Sequence, residues 1–310
     1  MRDLPNFLGL ACLVILFAYI SYNEIRHRTG ASRMSDERVA DMGQPGVGGP
    51  LPAISYPVPD NFSFAGEPVP LDIPDVRERF DQELQINIYF HSNTLFLIKR
   101  ANRWLPQMAE ILKKNDIPDD FKYLPLIESN LLNAVSSAEA VGYWQILESA
   151  GKENGLEITR QVDERYHPLK ATQAACNYLK KAYNRFGNWT LVAASYNRGM
   201  NGLDRAIENQ GQKSYYDLFL NEQTSRYVFR ILAIKEIIEH PARYGFKVDP
   251  DHYYEQVPLK YIEVNESIDI VDFANEHGTN YKTIKIYNPW LRDEKLTVRK
   301  GKSYSIGIPE

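Results

Sequence analysis

The sequence predicts a mainly α-helical protein closed by a small βααβ module. Three observations carry that prediction. Apolar residues recur at steps of three and four from Val76 to about His240, the period of a helix face. Strand-like stretches appear near the C-terminus, at Tyr261–Val264 and Tyr304–Ile308. A chain of 310 residues with 44% hydrophobic and 25% charged residues is ordinary globular material, which excludes wholesale disorder, collagen and coiled coil.

The N-terminus has a different character. Phe7 to Tyr22 is apolar and uncharged, with Arg2 before it and Glu24, Arg26 and Arg28 after it. As a helix it would span roughly 24 Å, a little short of a ~30 Å hydrocarbon core. It is either a secretory signal or a short anchor. Ile20-Ser21-Tyr22-Asn23 lacks the small residues of a cleavage site, which favours an uncleaved anchor over residues 1–28. Residues 29–75, with Gly43-Gln44-Pro45-Gly46-Val47-Gly48-Gly49-Pro50, read as a Pro/Gly-rich spacer.

Residues 76–248 carry the helical signals. Phe80, Leu84 and Ile88 lead, followed by Leu95, Leu97, Ile98, Trp104, Leu105, Met108, Ile111 and Leu112. Asn115-Asp116-Ile117-Pro118 ends one helix and opens the next, with Pro118 in its first turn and Asp119 and Asp120 at its positive end. There Phe121, Leu124 and Glu128 share one face. A carboxyl on an apolar face loses hydration, so its pKa rises and it can donate a proton near neutrality. The alternative is a helix-end glutamate bent back into solvent.

Farther on, Leu169, Thr172, Cys176, Leu179, Tyr183 and Phe186 form a helical stripe. It makes Cys176 a buried structural thiol. With Cys12 as the only other cysteine, a disulfide scaffold is excluded. A helix opening at Asn188 buries Leu191, Val192 and Ser195 and ends at Gly199, and Tyr227 begins a stripe with Ile231, Ile234 and Ile238.

Four ordered motifs complete this region: Glu128-Ser129, Ala134-Val135-Ser136 with Gly142-Tyr143-Trp144-Gln145, Ala194-Ser195-Tyr196-Asn197-Arg198-Gly199, and Tyr227-Val228. In order and spacing the chain resembles the lytic murein transglycosylases with a soluble-transglycosylase (lysozyme-like) catalytic domain, particularly the membrane-bound D type. The resemblance covers about Pro118 to Tyr244. It implies a lysozyme-like fold in which Glu128 is the sole catalytic acid and base. Ser129 would help orient the acid, or else bond back to its own helix. Ser136, Gly142, Gln145, Tyr196, Asn197 and Tyr227 would line or shape the substrate site. Gly142 would permit close backbone approach, Gln145 would offer an amide to the glycan, and Tyr196 would face Glu128. Tyr227 would touch substrate or stay in the core. Ser195, where the family more often has alanine, is a small departure. Trp144 reads first as core.

Residues 255–310 resemble a LysM module, which implies binding of N-acetylglucosamine-containing glycan. Asn265-Glu266-Ser267-Ile268 stands in place of the usual Gly-Asp-Thr-Leu, while the closing Ile308-Pro309 is kept. The match is degenerate.

The histidines show no metal-ligand spacing, and no phosphate-binding glycine loop appears, so no metal or cofactor is expected. Lys plus Arg number 36 against 40 Asp plus Glu, a net charge of -4 that offers no basic face to nucleic acid. The aromatic share is 12%, with 20 Tyr, and suits a core or a sugar-stacking groove equally. The resemblance implies an exported, membrane-anchored enzyme facing the periplasm or cell wall. It would cleave the MurNAc-β-1,4-GlcNAc bond of peptidoglycan strands and leave 1,6-anhydro-MurNAc. A hydrolytic muramidase on the same scaffold and a non-catalytic wall-binding protein are the alternatives.

Overall fold

The computed structural model describes residues 54–310. The expected anchor at 1–28 and the spacer up to residue 53 lie outside the described residues. Among the described residues no helix is long and apolar enough to cross a membrane.

The segment before residue 74, grouped with the spacer on its proline content, is packed chain. Ser63–Phe64 (β1) and Glu67–Pro68 (β2) form a short antiparallel hairpin turned by Ala65 and Gly66, both at positive φ. Phe64, Val69 and Leu71 are buried in the helical core. Glu67 accepts hydrogen bonds from the Trp189 and Thr190 amides at 2.6 and 2.9 Å, and a carboxylate placed there satisfies the free donors at a helix start. Composition suggested unpacked chain here, yet these apolar side chains and one glutamate tie the segment down.

Two long helices follow, α1 (Pro74–Tyr89) and α2 (His91–Lys114). Pro74 begins α1, where its missing N–H costs nothing. The expected single helix from Pro118 is two pieces, a 3-10 turn over Asp119–Tyr123 and one α-turn, α3 (Leu124–Ser129). Pro125 cannot donate within a continuing helix, so the chain re-forms its hydrogen bonds around it. A short helix α4 (Glu148–Glu153) precedes α5 (Pro168–Phe186), α6 (Trp189–Arg198), α7 (Met200–Gln210) and α8 (Glu222–Glu239).

On α5 the buried face includes the expected Thr172, Cys176 and Leu179 but is wider than the predicted stripe. Ala171, Ala174, Ala175 and Ala182 lie inward with Thr172, Cys176 and Leu179. Tyr183 instead stacks on Trp189, with ring centroids 4.0 Å apart. Alanines let α5 pack closely, and burial pushes the Cys176 thiol up to about 12, so it is inert. The α6 reading holds in detail: Asn188 caps the Leu191 amide at 2.8 Å, Gly199 ends the helix, and Leu191, Val192 and Ser195 are buried. Helix α8 is buried on most of its sides, including Val228, Phe229, Leu232 and Ala233, and packs on α1, α6 and α3.

The tail has the expected order with one addition. Strand β3 (Leu259–Val264) pairs antiparallel with the last strand (Tyr304–Pro309), in register Leu259 to Pro309 and Val264 to Tyr304. Between them come β4 (Ile268–Asp269), α9 (Ile270–Glu276), α10 (Tyr281–Tyr287) and β5 (Lys295–Leu296), the closing strand being β6. The short β4 and β5 pair with each other, which the sequence reading omitted. Ile270, Phe273, Ile284, Trp290 and Ile306 fill the tail's core, and Val141, Val162 and Tyr166 from the helical domain fill it with them. Asp163 N–H donates to the Trp290 carbonyl at 2.9 Å, and Arg292 N–H donates to that of Gln161 at 2.8 Å.

Candidate active site

The site is built on α3 and the loop it leans against. After Ser129, Asn130 and Leu131 adopt consecutive left-handed conformations at φ 53° and 55°. For leucine that is strained, a cost of order 1–3 kcal/mol. The strain is held by burial of the Leu131 side chain and by Arg100, whose Nε donates to the Asn130 carbonyl at 2.7 Å. This turn ends α3 abruptly with Glu128 in its last turn.

The Glu128 side chain is half-buried. Tyr227 donates its hydroxyl to Glu128 Oε1 at 2.5 Å, and Tyr227 itself is fully buried on α8. Loss of hydration raises the Glu128 pKa, while the Tyr227 hydrogen bond and the Arg230 charge pull it down without cancelling the effect. Burial, together with the Glu128 charge, lifts Tyr196 and Tyr227 well above the ordinary phenol range, so both remain donors. Among the described residues, no second carboxylate is one of the groups that shift Glu128. Among the described residues no cluster suited to a metal ion occurs.

The loop opposite is held by its own backbone. Gly142 sits at φ 80°, and a Cβ there would lie 2.1 Å from the Arg165 carbonyl oxygen. Its N–H donates to the Ala134 carbonyl at 3.0 Å. Gln145 turns its amide nitrogen inward, to the carbonyls of Gly142 at 2.9 Å and Ala134 at 3.1 Å. Ser136 accepts the Ala140 amide at 3.0 Å and shapes the same loop. Ser129 Oγ reaches the Pro125 carbonyl at 3.1 Å and the Tyr143 carbonyl at 2.8 Å. Its hydroxyl therefore bonds back to its own helix and ties α3 to the loop. Contact with the Glu128 carboxyl is not made.

Tyr196 donates to the Trp144 carbonyl at 2.8 Å, and Asn197 Oδ1 accepts from Thr224 Oγ1 at 2.9 Å. Trp144 is core, with its indole N–H on Thr172 at 2.8 Å. Gln145, Tyr196 and Asn197 line one cavity of about 350 Å³ together with Tyr178 and Gly199. Thus Glu128, Tyr227, Tyr196 and the 134–146 loop form one connected constellation. Ser129, Ser136 and Gly142 act on its backbone.

Residues 107–219 match the family described as the transglycosylase SLT domain. The chain carries a transglycosylase SLT domain. Residues 260–310 match the soluble lytic transglycosylase C-terminal LysM-like domain. Membrane-bound lytic murein transglycosylase D of two Escherichia coli strains is 28% identical over 246 residues, 76% of this chain and 53% of theirs. The chain spans about half the length of these curated relatives. A solved inactive mutant of lytic transglycosylase Slt from Pseudomonas aeruginosa aligns with 49% of this chain and 26% of its own, at TM-score 0.38 and 17% identity.

Around the site, sequence reasoning missed three arginines, Arg100, Arg165 and Arg230. Arg100 pins the strained turn. Arg230 donates to the Ile127 carbonyl at 2.9 Å beside Glu128. Arg165 is buried, pairs with Asp163 at 2.7 Å, and reaches the carbonyls of Glu139 and Ile146 at 3.2 and 3.3 Å. An arginine spaced like a surface residue carries no periodicity signal. Arg226, which pairs with buried Glu83 at 2.5 Å, and Arg230 lie one helical turn apart on α8, flanking Tyr227.

Tyr227→Phe removes the hydrogen bond that lowers the Glu128 pKa, so that pKa rises further. The alkaline limb of the pH–rate profile should move to higher pH, while the optimum rate falls roughly tenfold to a hundredfold, as about 1.5–3 kcal/mol is lost with a hydrogen bond to a charged group. A limb that moves to lower pH contradicts the assigned geometry.

Proposed function

We propose that the chain is a peptidoglycan lytic transglycosylase with Glu128 as its only acid and base. The observation that carries this reading is a half-buried carboxyl of raised pKa, gripped by a buried tyrosine hydroxyl, with no second carboxylate among the described residues acting on it. Common glycosidases need a carboxyl pair, and substrate-assisted routes need one.

In the proposed reaction Glu128 gives its proton to the oxygen between N-acetylmuramic acid and N-acetylglucosamine as the C1–O bond breaks. The neighbouring N-acetyl oxygen attacks C1 and holds the positive charge as an oxazolinium ring. The carboxylate, now ionised, takes the proton from the C6 hydroxyl. O6 then bonds to C1, the oxazolinium reopens, and Glu128 is protonated as at the start. Water is not consumed. Gln145, Tyr196 and Asn197 would line the glycan path, with Ser129, Ser136 and Gly142 fixing its walls.

The LysM-like match supports glycan binding by the tail, and the names of the curated relatives support an envelope location. The apolar run Phe7 to Tyr22 would then tether the protein to a membrane, facing the periplasm or cell wall.

Mass spectrometry of fragments released from sacculi tests the reaction. Products lacking one water relative to the hydrolysed species, with anhydro ends, are expected. Reducing ends would assign a muramidase, and no release at all would assign a binding protein.

A further inference from the structure

A second cavity, rich in aromatic residues, lies where the tail meets the helical domain. Its volume is about 370 Å³, within the range of ligand sites. One wall belongs to the helical domain, with Trp104, Arg103, Asn133 and His167. The other belongs to the tail, with Tyr261 and Trp290.

Three features give this cavity a chemistry. The first is a set of rings: Tyr261 is 57% exposed at the edge of β3, and Trp104 packs edge-on against Tyr143 with centroids 5.4 Å apart. The C–H face of a pyranose is apolar and rests on such rings, while its equatorial hydroxyls stay free for amides. The second is unspent donors. His167 Nδ1 accepts from the Lys170 amide at 3.5 Å, so the proton sits on Nε2, which has no partner among the described residues. Burial holds this imidazole down at about 4 and hence neutral. The third is charge. Arg103 is the only charged lining residue; its Nε donates to the Glu255 carbonyl at 2.8 Å and its guanidinium lies 5.5 Å over the Tyr254 ring, which leaves its terminal N–H groups to face the cavity.

The cavity also continues the site. Tyr143 lines it, and the Tyr143 carbonyl accepts from Ser129, the residue next to the acid. Asn133 stands five residues after Glu128, just past the turn that ends α3.

We propose that this junction is a glycan subsite, holding N-acetylated amino sugars of the strand beyond the cleavage point, with Arg103 meeting a carboxylate-bearing substituent. The tail and the helical domain each supply one wall, so neither binds this stretch alone. This inference rests on the glycan reading above. A free stem peptide is the competing occupant, because it also carries carboxylates.

The test uses the full chain with Glu128→Gln, so that binding is measured without cleavage. The probe is peptide-free peptidoglycan strands of defined length, titrated calorimetrically. Tyr261→Ala and Asn133→Ala, both at exposed side chains on opposite walls, should each weaken binding about fivefold to tenfold, the scale of one lost ring or amide contact. Unchanged melting temperatures confirm that both variants are folded. If neither variant or only one weakens binding, the two-walled subsite is overturned while the glycan reading stands. If the Glu128→Gln protein binds no strand at all, both fall. Displacement of strands from the cavity by an acidic tetrapeptide would assign it to peptide and overturn the proposal.

Discussion

Glu128→Gln should reduce glycan release by about 10³-fold or more, since general acid and base catalysis each contribute about 10²–10⁴-fold and here one group serves both. The substitution is close to isosteric. The amide oxygen still accepts from Tyr227, which lies on Glu128 Oε1 in the wild type. What is lost is the transferable proton. Turbidity of a sacculus suspension and mass analysis of the supernatant measure the effect, and release within tenfold of wild type would remove Glu128 from the mechanism.

The same variant makes a stability prediction of definite sign. The Glu128 pKa is raised in the folded chain. Such a carboxyl contributes stability that is fully present below its unfolded pKa and is lost as pH rises through the folded value. Glutamine does not ionise and suffers no such loss. The melting temperature of Glu128→Gln should therefore gain on wild type as pH rises. A gap that closes with rising pH contradicts a desolvated acid.

Gly142→Ala should cost about 3 kcal/mol or more and displace the loop that faces the acid. Two causes add. An L side chain at φ 80° is strained, and its Cβ would meet the Arg165 carbonyl oxygen at 2.1 Å. The Arg165 segment cannot retreat freely, because its guanidinium is paired with Asp163 and Tyr166 beside it is buried in the tail's core. The loop must move instead, taking with it the Gly142 and Gln145 bonds to the Ala134 carbonyl. Thermal unfolding and activity should fall together. A wild-type melting temperature would show that the close approach is not present in solution.

Much of this was legible in the residues, for physical reasons that differ by element. Helix α6 could be read to its ends because Asn188 and Gly199 are local signals and act locally. Glu128 was legible because a charge on an apolar face is an anomaly of spacing. The α5 stripe holds at Thr172, Cys176 and Leu179 and fails at Tyr183, and it omits the alanines that let the helix pack closely, because a small side chain carries little hydrophobic signal. The hairpin at Ser63–Pro68 was hidden by its prolines, since its stability comes from Phe64, Val69, Leu71 and Glu67 meeting partners more than fifty residues away. Ser129 and Gln145 lie beside the Glu128 turn and the loop opposite it, but their partners are backbone carbonyls, which no side-chain pattern encodes. The Ser129 bond to Tyr143 spans fourteen residues of irregular loop and is visible only once the loop is folded.

The apolar core that the tail shares with Val141, Val162 and Tyr166 gives the molecule a mechanical character. Val141 also pairs with Val135 and Ile146 across the loop that faces Glu128. A pull on the C-terminal module is not absorbed by a slack tether. It passes through three side chains and a pair of backbone hydrogen bonds to the wall of the cleft. Movement of the tail would be felt at the loop that faces Glu128.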